Sequence, residues 1–339
     1  MRGQNYQVAI LYNLDDGVPR GDAHDLLAIQ YTANTTKYIY DALISLGYRT
    51  TRIAVKDSLA KLRQILATFS PNDTFIFDNC DGFNGNNLAA VNVLSLVEEL
   101  GFSHTGTTAK GKELCTDKPR AKNQLIESGI PTPAFQVFDS PEGDLCLDYP
   151  VIVKPATEDA SMGINLHSVA SSQAALYECV QRVIELYEQP AMVEQFIPGR
   201  ELAVSMWGNG IIETLPISEE DYSCIADPLQ RVLTYEAKWE PDSYYYKNIN
   251  SHCPAILTPE EETRIQQVAI ATFYAMGLRD FGRVDIRYNE GIPYVIDINE
   301  LPDLSPESGF WNSVRAAGIQ YPAMIEHILN NAMKREGWL

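Results

Sequence analysis

Two alternating strands joined by a tight turn lie near the carboxyl end of the chain and restrict the fold more than any other segment. The stretches RVDIRY (283–288) and PYVIDI (293–298) alternate apolar and polar residues, which is typical of strands with one buried face. The Asn289-Glu290-Gly291 sequence between them is a strong hairpin signal. We therefore expect an antiparallel pair of strands at this position.

The polar positions of this hairpin form a candidate metal site. Asp285 lies in the first strand, while Asp297 and Asn299 lie two apart in the second and so share a face. Two carboxylates and an amide suit Mg²⁺, which takes few protein ligands and completes its shell with water and phosphate oxygens. Alternatively, Asp297 caps a strand end and Asn299 turns a loop, but the pairing with Asp285 favours the metal site. Arg283 projects from the same face as Asp285, where it would stabilise a transferring phosphoryl group or form a surface salt bridge.

Alternating strands and helices in the first third of the chain predict an α/β lobe, which we place at 1–106. Apolar residues at steps of three identify its second helix. The predicted elements are strands at 7–12 and 74–78 and helices at 34–46 and 88–100.

Two further lobes are expected, a small central one at 107–190 and a strand-rich one at 191–339. The elements predicted for the central lobe are helices at 118–128 and 172–187 and strands at 133–138 and 150–154. In the third lobe, the run TPEE at 258–261 matches the N-cap, first turn and capping box of a helix that we expect to end at Gly277. The fold class is therefore α/β, with α+β lobes.

An excess of acidic side chains excludes several functions. The 339 residues include 26 lysines and arginines against 45 aspartates and glutamates, a net charge of −19. Such a surface repels a phosphate backbone, so we expect no nucleic-acid partner. The five histidines form no zinc-hydrolase pattern, and the six cysteines form no close pair. No apolar stretch has the length of a signal peptide or a membrane span, so we expect a cytoplasmic protein with no membrane partner.

Three segments are weaker candidates for a nucleotide site. Lys154 ends the apolar strand PVIVK, where a buried lysine needs a partner, either a nucleotide phosphate or a structural carboxylate. The ATEDASMG loop that follows could cover phosphates with its backbone amides, or it is an ordinary surface loop. Glu194 and Glu201 flank the FIPGR turn, which by itself is only a strand, a turn and a strand with acidic ends.

Five segments occur together in the order and spacing of one enzyme family. VIVKPATEDASMG, VEQFIPGREL, YEAKW, GRVDIRYNEGIPYVIDIN and LPDLSPESGF resemble the motifs of D-alanine–D-alanine ligase-like ATP-grasp enzymes, from about Thr105 to Ala332. The resemblance implies an ATP-grasp fold with an N-terminal lobe, a small central lobe and a C-terminal lobe, and ATP between the last two. It also implies Mg²⁺, or alternatively Mn²⁺, together with small-molecule amino-acid substrates and a homodimer.

The resemblance assigns roles to matching positions. Nucleotide contacts are implied for Lys118, Lys154, Ser161, Glu194, Gln195, Phe196, Ile197, Glu201 and Lys238. Within this set the lysines would contact phosphates, the 194–197 segment the adenine, and Glu201 the ribose. The implied metal ligands are Asp285, Asp297 and Asn299. The catalytic set is Arg283 for the transition state, Lys238 for the terminal phosphates and Ser308 for the carboxylate of the incoming amino acid.

Most departures from the family lie where the first substrate binds, although the metal ligand at Asp297 is also usually a glutamate. The glutamate that holds the first substrate's amine is not recognisable in NLDDGVPRGDAHD, and its serine and tyrosine partners are Ala160 and Trp239 here. A Pro-Gly pair near the oxyanion site is Pro302-Asp303, and the motif HGxxGEDGxxQG corresponds loosely to NCDGFNGNN. We therefore expect an intact nucleotide half and a rebuilt first-substrate half.

The resemblance implies a ligase that joins carbon to nitrogen and releases ADP and phosphate. One candidate is a dipeptide-type ligase acting on a carboxylate. A second resembles the cyanobacterial enzymes that attach serine or threonine to mycosporine-glycine, with an enol oxygen as the phosphorylated group. D-alanine–D-alanine ligase is a third. An inactive nucleotide-binding regulator is the alternative from another class; the retained Arg283, Asp285, Asp297 and Asn299 argue against it, whereas Asp303 favours it.

Overall fold

The computed structural model describes residues 6–15, 17 and 20–339, so the predicted first-substrate loop at 13–25 lies partly outside the described residues, at 16 and 18–19. The strands are β1 (Gln7–Asn13), β2 (Thr50–Val55), β3 (Thr74–Asn79), β4 (Phe135–Phe138), β5 (Val151–Pro155), β6 (Val169–Ala170), β7 (Ala191–Gln195), β8 (Arg200–Asn209), β9 (Ile211–Thr214), β10 (Ser218–Asp221), β11 (Asn250–His252), β12 (Asp280–Asn289) and β13 (Ile292–Asn299). The α-helices are α1 (Leu26–Ser45), α2 (Leu59–Leu66), α3 (Ala90–Glu99), α4 (Ala109–Thr116), α5 (Lys118–Glu127), α6 (Gln173–Tyr187), α7 (Tyr235–Trp239), α8 (Tyr244–Asn248), α9 (Pro259–Ala275), α10 (Gly309–Ala316) and α11 (Tyr321–Arg335). Within this described part of the chain, no helix is both long enough and apolar enough to cross a membrane.

A parallel sheet in the order β2–β1–β3 forms the N-terminal part of the fold. Its central strand is buried on both faces: Val8 and Ile10 pack toward α1 and α11, while Ala9 and Leu11 pack toward α2 and α3. Because both faces are covered, the strand is a continuous apolar run rather than an alternating one. The strand predicted at 7–12 is confirmed.

Helix α1 begins at Leu26, well before the start that the sequence predicts at residue 34. Asp25 makes no side-chain capping hydrogen bond to α1, but a 3₁₀ turn at Ala23–Asp25 leads directly into the helix, and its N-cap is Asp22, whose side chain accepts from the His24 N–H. The Asp25 carboxylate accepts from the Asp22 N–H and from the Tyr187 hydroxyl, each 2.9 Å away. The start of this helical segment thus has both a local capping box, which the sequence analysis did not identify, and a contact with a distant helix.

An antiparallel sheet in the order β4–β7–β5–β6 forms the central part, and α6 packs on it through Leu176, Val180 and Val183. Strand β7 pairs with β4 and β5, although the sequence analysis assigned residues from 191 onward to the third lobe. The apolar pattern of a strand does not specify which sheet it joins, so this membership could not be predicted. The division into lobes stays a prediction, with β7 on the central side.

The largest sheet has the order β11–β10–β8–β12–β13, with β9 paired to β8. Helix α9 covers one face through Ile265, Ala269 and Phe273, and α4 and α5 pack into the same core. Strands β12 and β13 are joined at Glu290 and Gly291, whose φ values of +48° and +79° fit a two-residue type I′ turn. The predicted hairpin is confirmed.

The capping box at the start of α9 is formed as predicted. Thr258 Oγ1 accepts from the Glu261 N–H at 3.2 Å, and Glu261 Oε2 accepts from the Thr258 N–H at 2.9 Å. After the last turn, Gly277 has a φ of +66°, the left-handed conformation that commonly follows a helix end.

Replacing Thr258 with alanine should lower the free energy of unfolding by about 1 kcal/mol, because the Glu261 N–H loses its acceptor. Thr263→Ala is the matched control. Within the described part of the chain, the Thr263 hydroxyl bonds only to the Pro259 carbonyl inside the same helix, and the high helix propensity of alanine offsets the loss. Urea denaturation of both variants measures the difference. Equal midpoints would contradict the capping role of Thr258.

Candidate active site

A cleft of about 780 Å³ is lined by residues from all three sheets. Every position that the sequence assigned to the site lies on its wall: Lys118, Lys154, Ser161, Glu194, Gln195, Phe196, Ile197, Glu201, Lys238, Arg283, Asp285, Asp297, Asn299 and Ser308. The fold therefore brings together residues that are distant in the sequence. Their individual chemical roles stay predictions.

The two carboxylates predicted to bind the metal face each other across the β12–β13 hairpin. In the strand register Asp285 is paired with Asp297, and Arg283 is paired with Asn299. Two carboxylates at directly opposed positions repel each other. This part of the cleft therefore requires positive charge.

Protein cations supply that charge. Arg283 donates two parallel hydrogen bonds to Asp285, at 2.7 and 2.9 Å, and Lys118 Nζ donates to Asp297 at 2.9 Å. Asn299 Nδ2 also donates to Asp285, at 3.1 Å. Burial opposes the ionisation of Asp297, but the ammonium groups of Lys118 and a second lysine outweigh it and lower the pKa of Asp297 to about 2. Asp297 is therefore ionised at neutral pH.

Two cations predicted to face phosphate or the transition state thus have carboxylate partners in the structure. Lys118 Nζ donates to Asp159 as well, at 3.0 Å, in the loop after β5. Although burial opposes it, these carboxylates raise the pKa of Lys118 above its ordinary value. The Arg283–Asp285 contact is the salt bridge that the sequence left as an alternative, but the side chains are only 16% and 18% exposed, so it lies inside the cleft and not on the surface.

The carboxylate of Glu194 lies between two buried lysines. Lys154 Nζ is 2.5 Å from one oxygen, and Lys122 Nζ contacts the other. Burial raises the pKa of Glu194, but the two ammonium groups outweigh it and lower the pKa below its ordinary value. Lys154 also donates to the carbonyl of Ile296, the extra residue of a β-bulge in β13. In the structure the Glu194 side chain, which the resemblance assigned to the adenine, therefore pairs with lysines. Glu194 is also the structural carboxylate that the sequence analysis gave as one of two alternative partners for Lys154.

Glu201, the predicted ribose contact, is held by two residues that the sequence analysis did not identify. Its Oε2 accepts from the Tyr222 hydroxyl at 2.8 Å and pairs with Arg287 at 2.7 Å. Arg287 is buried and lies over the rings of Phe196 and Tyr222. Alternation along β12 puts Arg287 on the face of Asp285, so the pattern that indicated the metal site could also have identified this arginine.

The backbone expected to contact the adenine is partly engaged. The N–H groups of Gln195 and Phe196 donate to the carbonyls of Ala134 and Pro150, at 2.9 and 3.0 Å. These two donors are already engaged, so a base edge would have to meet other backbone groups of the segment, and its contact with adenine stays a prediction. The buried side chains of Phe196 and Ile197 still line the cleft beside them.

Lys238 and Ser161 lie on segments that form another wall of the cleft. Burial and the neighbouring Arg283 lower the pKa of Lys238, and among the described residues its ammonium group makes no hydrogen bond or ion pair. Such a lysine is available to an incoming anion. Ser161 Oγ donates to the Leu233 carbonyl at 2.9 Å, so it ties the loop after β5 to the segment before α7.

Ser308 is the N-cap of α10. Its Oγ accepts from the Trp311 N–H at 3.1 Å, which leaves its hydroxyl hydrogen for donation elsewhere. The first turn of α10 adds backbone N–H donors and the positive end of the helix dipole. This combination suits the carboxylate of an incoming amino acid, which is the role that the resemblance implies.

The positions at which the chain departs from the family are connected to one another and to α1. Trp239 Nε1 donates to the Ala160 carbonyl at 3.0 Å, and its ring packs edge-on against Tyr31 at 5.1 Å. Asp303 accepts from the Thr35 hydroxyl at 2.9 Å and from both the backbone and the hydroxyl of a nearby serine, at 2.9 and 2.6 Å. At the first-substrate end of the cleft, the residues that differ from the family are therefore held in place by hydrogen bonds and ring contacts.

The C-terminal part of the chain matches a known family. Residues 127–330, more than half of the chain, match the family described as "D-ala D-ala ligase C-terminus". An uncharacterized protein of Sinorhizobium fredii, y4sG, is 34% identical over 262 residues, which cover 77% of this chain and 75% of that protein. The D-alanine–D-alanine ligase of Methylacidiphilum infernorum is 28% identical over 304 residues, which cover 88% of this chain and 90% of that enzyme.

Solved structures share the fold. The D-alanine–D-alanine ligase from Bacillus anthracis, complexed with ATP, gives a TM-score of 0.73 at 20% identity and covers 96% of this chain and 97% of that one. The VanG D-Ala:D-Ser ligase from Enterococcus faecalis gives 0.71 at 19% identity, over 97% and 100% of the two chains. These likenesses confirm the predicted α/β ATP-grasp fold. From its sequence match and its fold, the chain belongs to the D-alanine–D-alanine ligase family and is an ATP-dependent, ADP-forming carbon–nitrogen ligase.

Proposed function

We propose that this protein uses ATP and Mg²⁺ to phosphorylate an acidic oxygen of one small molecule and then couples that molecule to the amine of an amino acid. The observation that carries the proposal is the charge pattern of the cleft. An opposed pair of carboxylates, Asp285 and Asp297, is surrounded by cations that line the same walls: Lys118, Lys154, Lys238, Arg283 and Arg287. This many cations in one cleft suit a polyphosphate, and the carboxylates suit the cation that accompanies it.

The donor set at the hairpin fits Mg²⁺. Among the described residues, no group of three or more histidines, cysteines, aspartates or glutamates is placed to hold a metal ion by itself. Asp285, Asp297 and Asn299 would supply three oxygens, and phosphate oxygens and water would supply the rest, as Mg²⁺ prefers. When bound, the ion would neutralise charge on the terminal phosphates. Mn²⁺, which also binds oxygen ligands, is the alternative.

The protein cations would change partners when the nucleotide binds. Lys118 and Arg283 neutralise Asp297 and Asp285 in the structure. With the carboxylates occupied by a metal, both side chains can turn to phosphate oxygens. Lys238 needs no such exchange, since among the described residues it has no competing partner. These groups then stabilise the charge on the transferring phosphoryl group, which is the main source of catalysis in phosphoryl transfer.

The proposed reaction has two balanced steps. In the first, the bond between the terminal phosphorus of ATP and its bridging oxygen breaks, a bond to the acidic oxygen of the substrate forms, and ADP is released. In the second, the amine nitrogen attacks the activated carbon, phosphate leaves and the nitrogen loses a proton. Ser308 and the N-terminus of α10 would orient the amino acid for this attack by holding its carboxylate.

We further propose mycosporine-glycine as the phosphorylated substrate, through an enol oxygen, and serine or threonine as the amine. The rebuilt first-substrate end supports this choice. Ala160 and Trp239 occupy the positions of the serine and tyrosine that dipeptide-forming members use, and Trp239 forms an aromatic wall with Tyr31. The relatives named D-alanine–D-alanine ligase keep dipeptide formation as the alternative.

Phosphate release from ATP and Mg²⁺, measured across a panel of amino acids with and without mycosporine-glycine, tests both levels of the proposal. We expect release that requires mycosporine-glycine together with serine or threonine. Release with amino acids alone would support a dipeptide-type ligase and exclude the mycosporine-glycine assignment. Absence of release with every pair, while ATP still binds, would overturn the proposal in favour of a nucleotide-binding regulator.

A further inference from the structure

The first-substrate end of the cleft lies at the carboxyl edge of the N-terminal sheet. In the order β2–β1–β3, the chain leaves β1 to one side for β2 and returns on the other side for β3, so β1 and β3 flank a topological switch point. Open parallel sheets bind ligands in the crevice at such a point. Asn13 ends β1 and Asn79 ends β3, and Asp81 follows two residues later.

Asp81 presents a positioned carboxylate at this crevice. The Thr32 hydroxyl, on α1, lies 2.9 Å from both of its oxygens, and the Asp81 N–H donates to Asn13 Oδ1 at 3.4 Å. Asn79 fixes α1 in turn, because its Nδ2 donates to the Thr32 carbonyl at 3.3 Å and to Thr36 Oγ1 at 2.9 Å. The carboxylate is thus held from both the strand edge and the helix.

The acceptor capacity of Asp81 is largely unused. An ionised carboxylate accepts about four hydrogen bonds, and the Thr32 hydroxyl supplies one hydrogen. Among the described residues Asp81 has no ion-pair partner. The nearby cation, Lys112, donates to the Cys80 carbonyl at 3.0 Å and lies 3.6 Å from each of two other carboxylates, Asp78 and Glu300.

The surroundings of Asp81 do not suit an anion. The side chains of α1 and of the loop after β3 that line the cleft are apolar groups, hydroxyls and amides, among them Thr32, Asn34 and Asn87, with no lysine or arginine. The lining positions on the facing C-terminal segment include two more carboxylates, Asp303 and Glu307. The lysines of the same cleft on α4 and α5, Lys112 and Lys118, are already paired with other carboxylates. A ligand at this end must therefore bring hydrogen-bond donors, since an anionic group there would face carboxylates.

We propose that Asp81 selects the first substrate by accepting hydrogen bonds from its hydroxyl or ammonium groups. The inference rests on the proposed function, because it names the chemistry of the molecule that is phosphorylated. Asp81 recognises O–H and N–H donors alike. A polyhydroxylated ring and a free amino acid are two sources of that chemistry.

Calorimetry tests the inference independently of turnover. D-alanine, as the ammonium source, and mycosporine-glycine, as the hydroxyl source, are titrated into protein saturated with Mg²⁺ and a non-hydrolysable ATP analogue. The proteins compared are the wild type, Asp81→Asn and Thr32→Val. Asp41→Asn, which changes an exposed aspartate of α1, is the matched control.

We expect Asp81→Asn to weaken binding of whichever probe the wild type takes by about tenfold to a hundredfold, as for a lost hydrogen bond to a charged group. Thr32→Val should weaken it less, because the carboxylate stays but loses its anchor. Asp41→Asn should match the wild type, and nucleotide affinity should be the same in all four proteins. The probe that binds identifies the donor as ammonium or hydroxyl.

Three results would overturn the role of Asp81: unchanged probe affinity in Asp81→Asn, an equal loss of nucleotide affinity, or a wild type that binds neither probe. Phosphate release separates this inference from the proposed function. A wild type that turns over a substrate pair, with Asp81→Asn unchanged in probe affinity, would retain the ligase and reject Asp81 as its selecting residue. A wild type that binds a probe at Asp81 but never releases phosphate would retain Asp81 as a binding residue and reject the ligase function.

Discussion

The Asp285→Asn protein should form ADP at least about 100-fold more slowly than the wild type, because even outer partners of metal ligands cost about 10- to 100-fold when removed. Asparagine has the same shape, so the hairpin should fold, but it no longer supplies the charge that attracts a divalent cation between β12 and β13. The Mg²⁺ concentration that gives half the maximal rate should rise as well. ADP formation measured over a Mg²⁺ titration gives both quantities.

Asp139→Asn is the control for this experiment, since Asp139 is an exposed aspartate directly after β4. It should leave the rate and the Mg²⁺ dependence unchanged. Thermal unfolding of both variants separates loss of function from loss of fold. An active Asp285→Asn protein with a normal Mg²⁺ dependence would remove Asp285 from the metal site.

Arg283→Ala should lower kcat by about 10²- to 10³-fold, as expected when a donor to the transition state is removed, and should change the KM for ATP only slightly. Arg283 makes two parallel hydrogen bonds to Asp285 in the structure, so its fork lies at the proposed metal site and can turn from that carboxylate to phosphate oxygens when the metal binds. Arg283→Lys keeps the charge but not the fork and should fall between alanine and the wild type. Initial rates at saturating and limiting ATP measure the two constants.

Arg120→Ala, at an exposed position of α5, is the matched control and should leave both constants unchanged. A rise in the KM for ATP with an unchanged kcat in Arg283→Ala would show that this side chain contributes to ground-state binding alone. The transition-state role would then be wrong.

Features that depend on neighbouring residues could be predicted from the sequence. The Glu290-Gly291 turn and the capping box of Thr258 and Glu261 are set by local backbone chemistry, and the structure confirms both. The alternation in the hairpin also placed Asp285 and Asp297 on one surface, as the register shows. Local rules were enough because each involves residues a few positions apart.

Partners that come from distant parts of the chain could not be predicted. Nothing near Glu194 in the sequence reveals that Lys122 and Lys154 occupy its carboxylate, and nothing in β7 reveals which sheet it joins. The N–H groups of 195–196 looked available because their acceptors lie in the loops before β4 and β5, far away in the sequence. Arg287 is an exception, since the alternation along β12 that identified Asp285 also places Arg287 on the same face. The sequence thus shows which residue types are present and which strand face they occupy, but not which distant residue or strand each of them pairs with.

The contact of one ammonium group with two carboxylates has a kinetic consequence. Lys118 links Asp159, in the loop after β5, to Asp297 on β13, and so bridges two walls of the cleft. In the proposed binding mode an incoming polyphosphate displaces these two carboxylates from Lys118, so association is a substitution rather than simple entry into a vacant space. Salt screens the half-exposed Asp159 more than the buried lysine, and the rate constant for nucleotide association should therefore vary with ionic strength through the opening of this bridge as well as through diffusion.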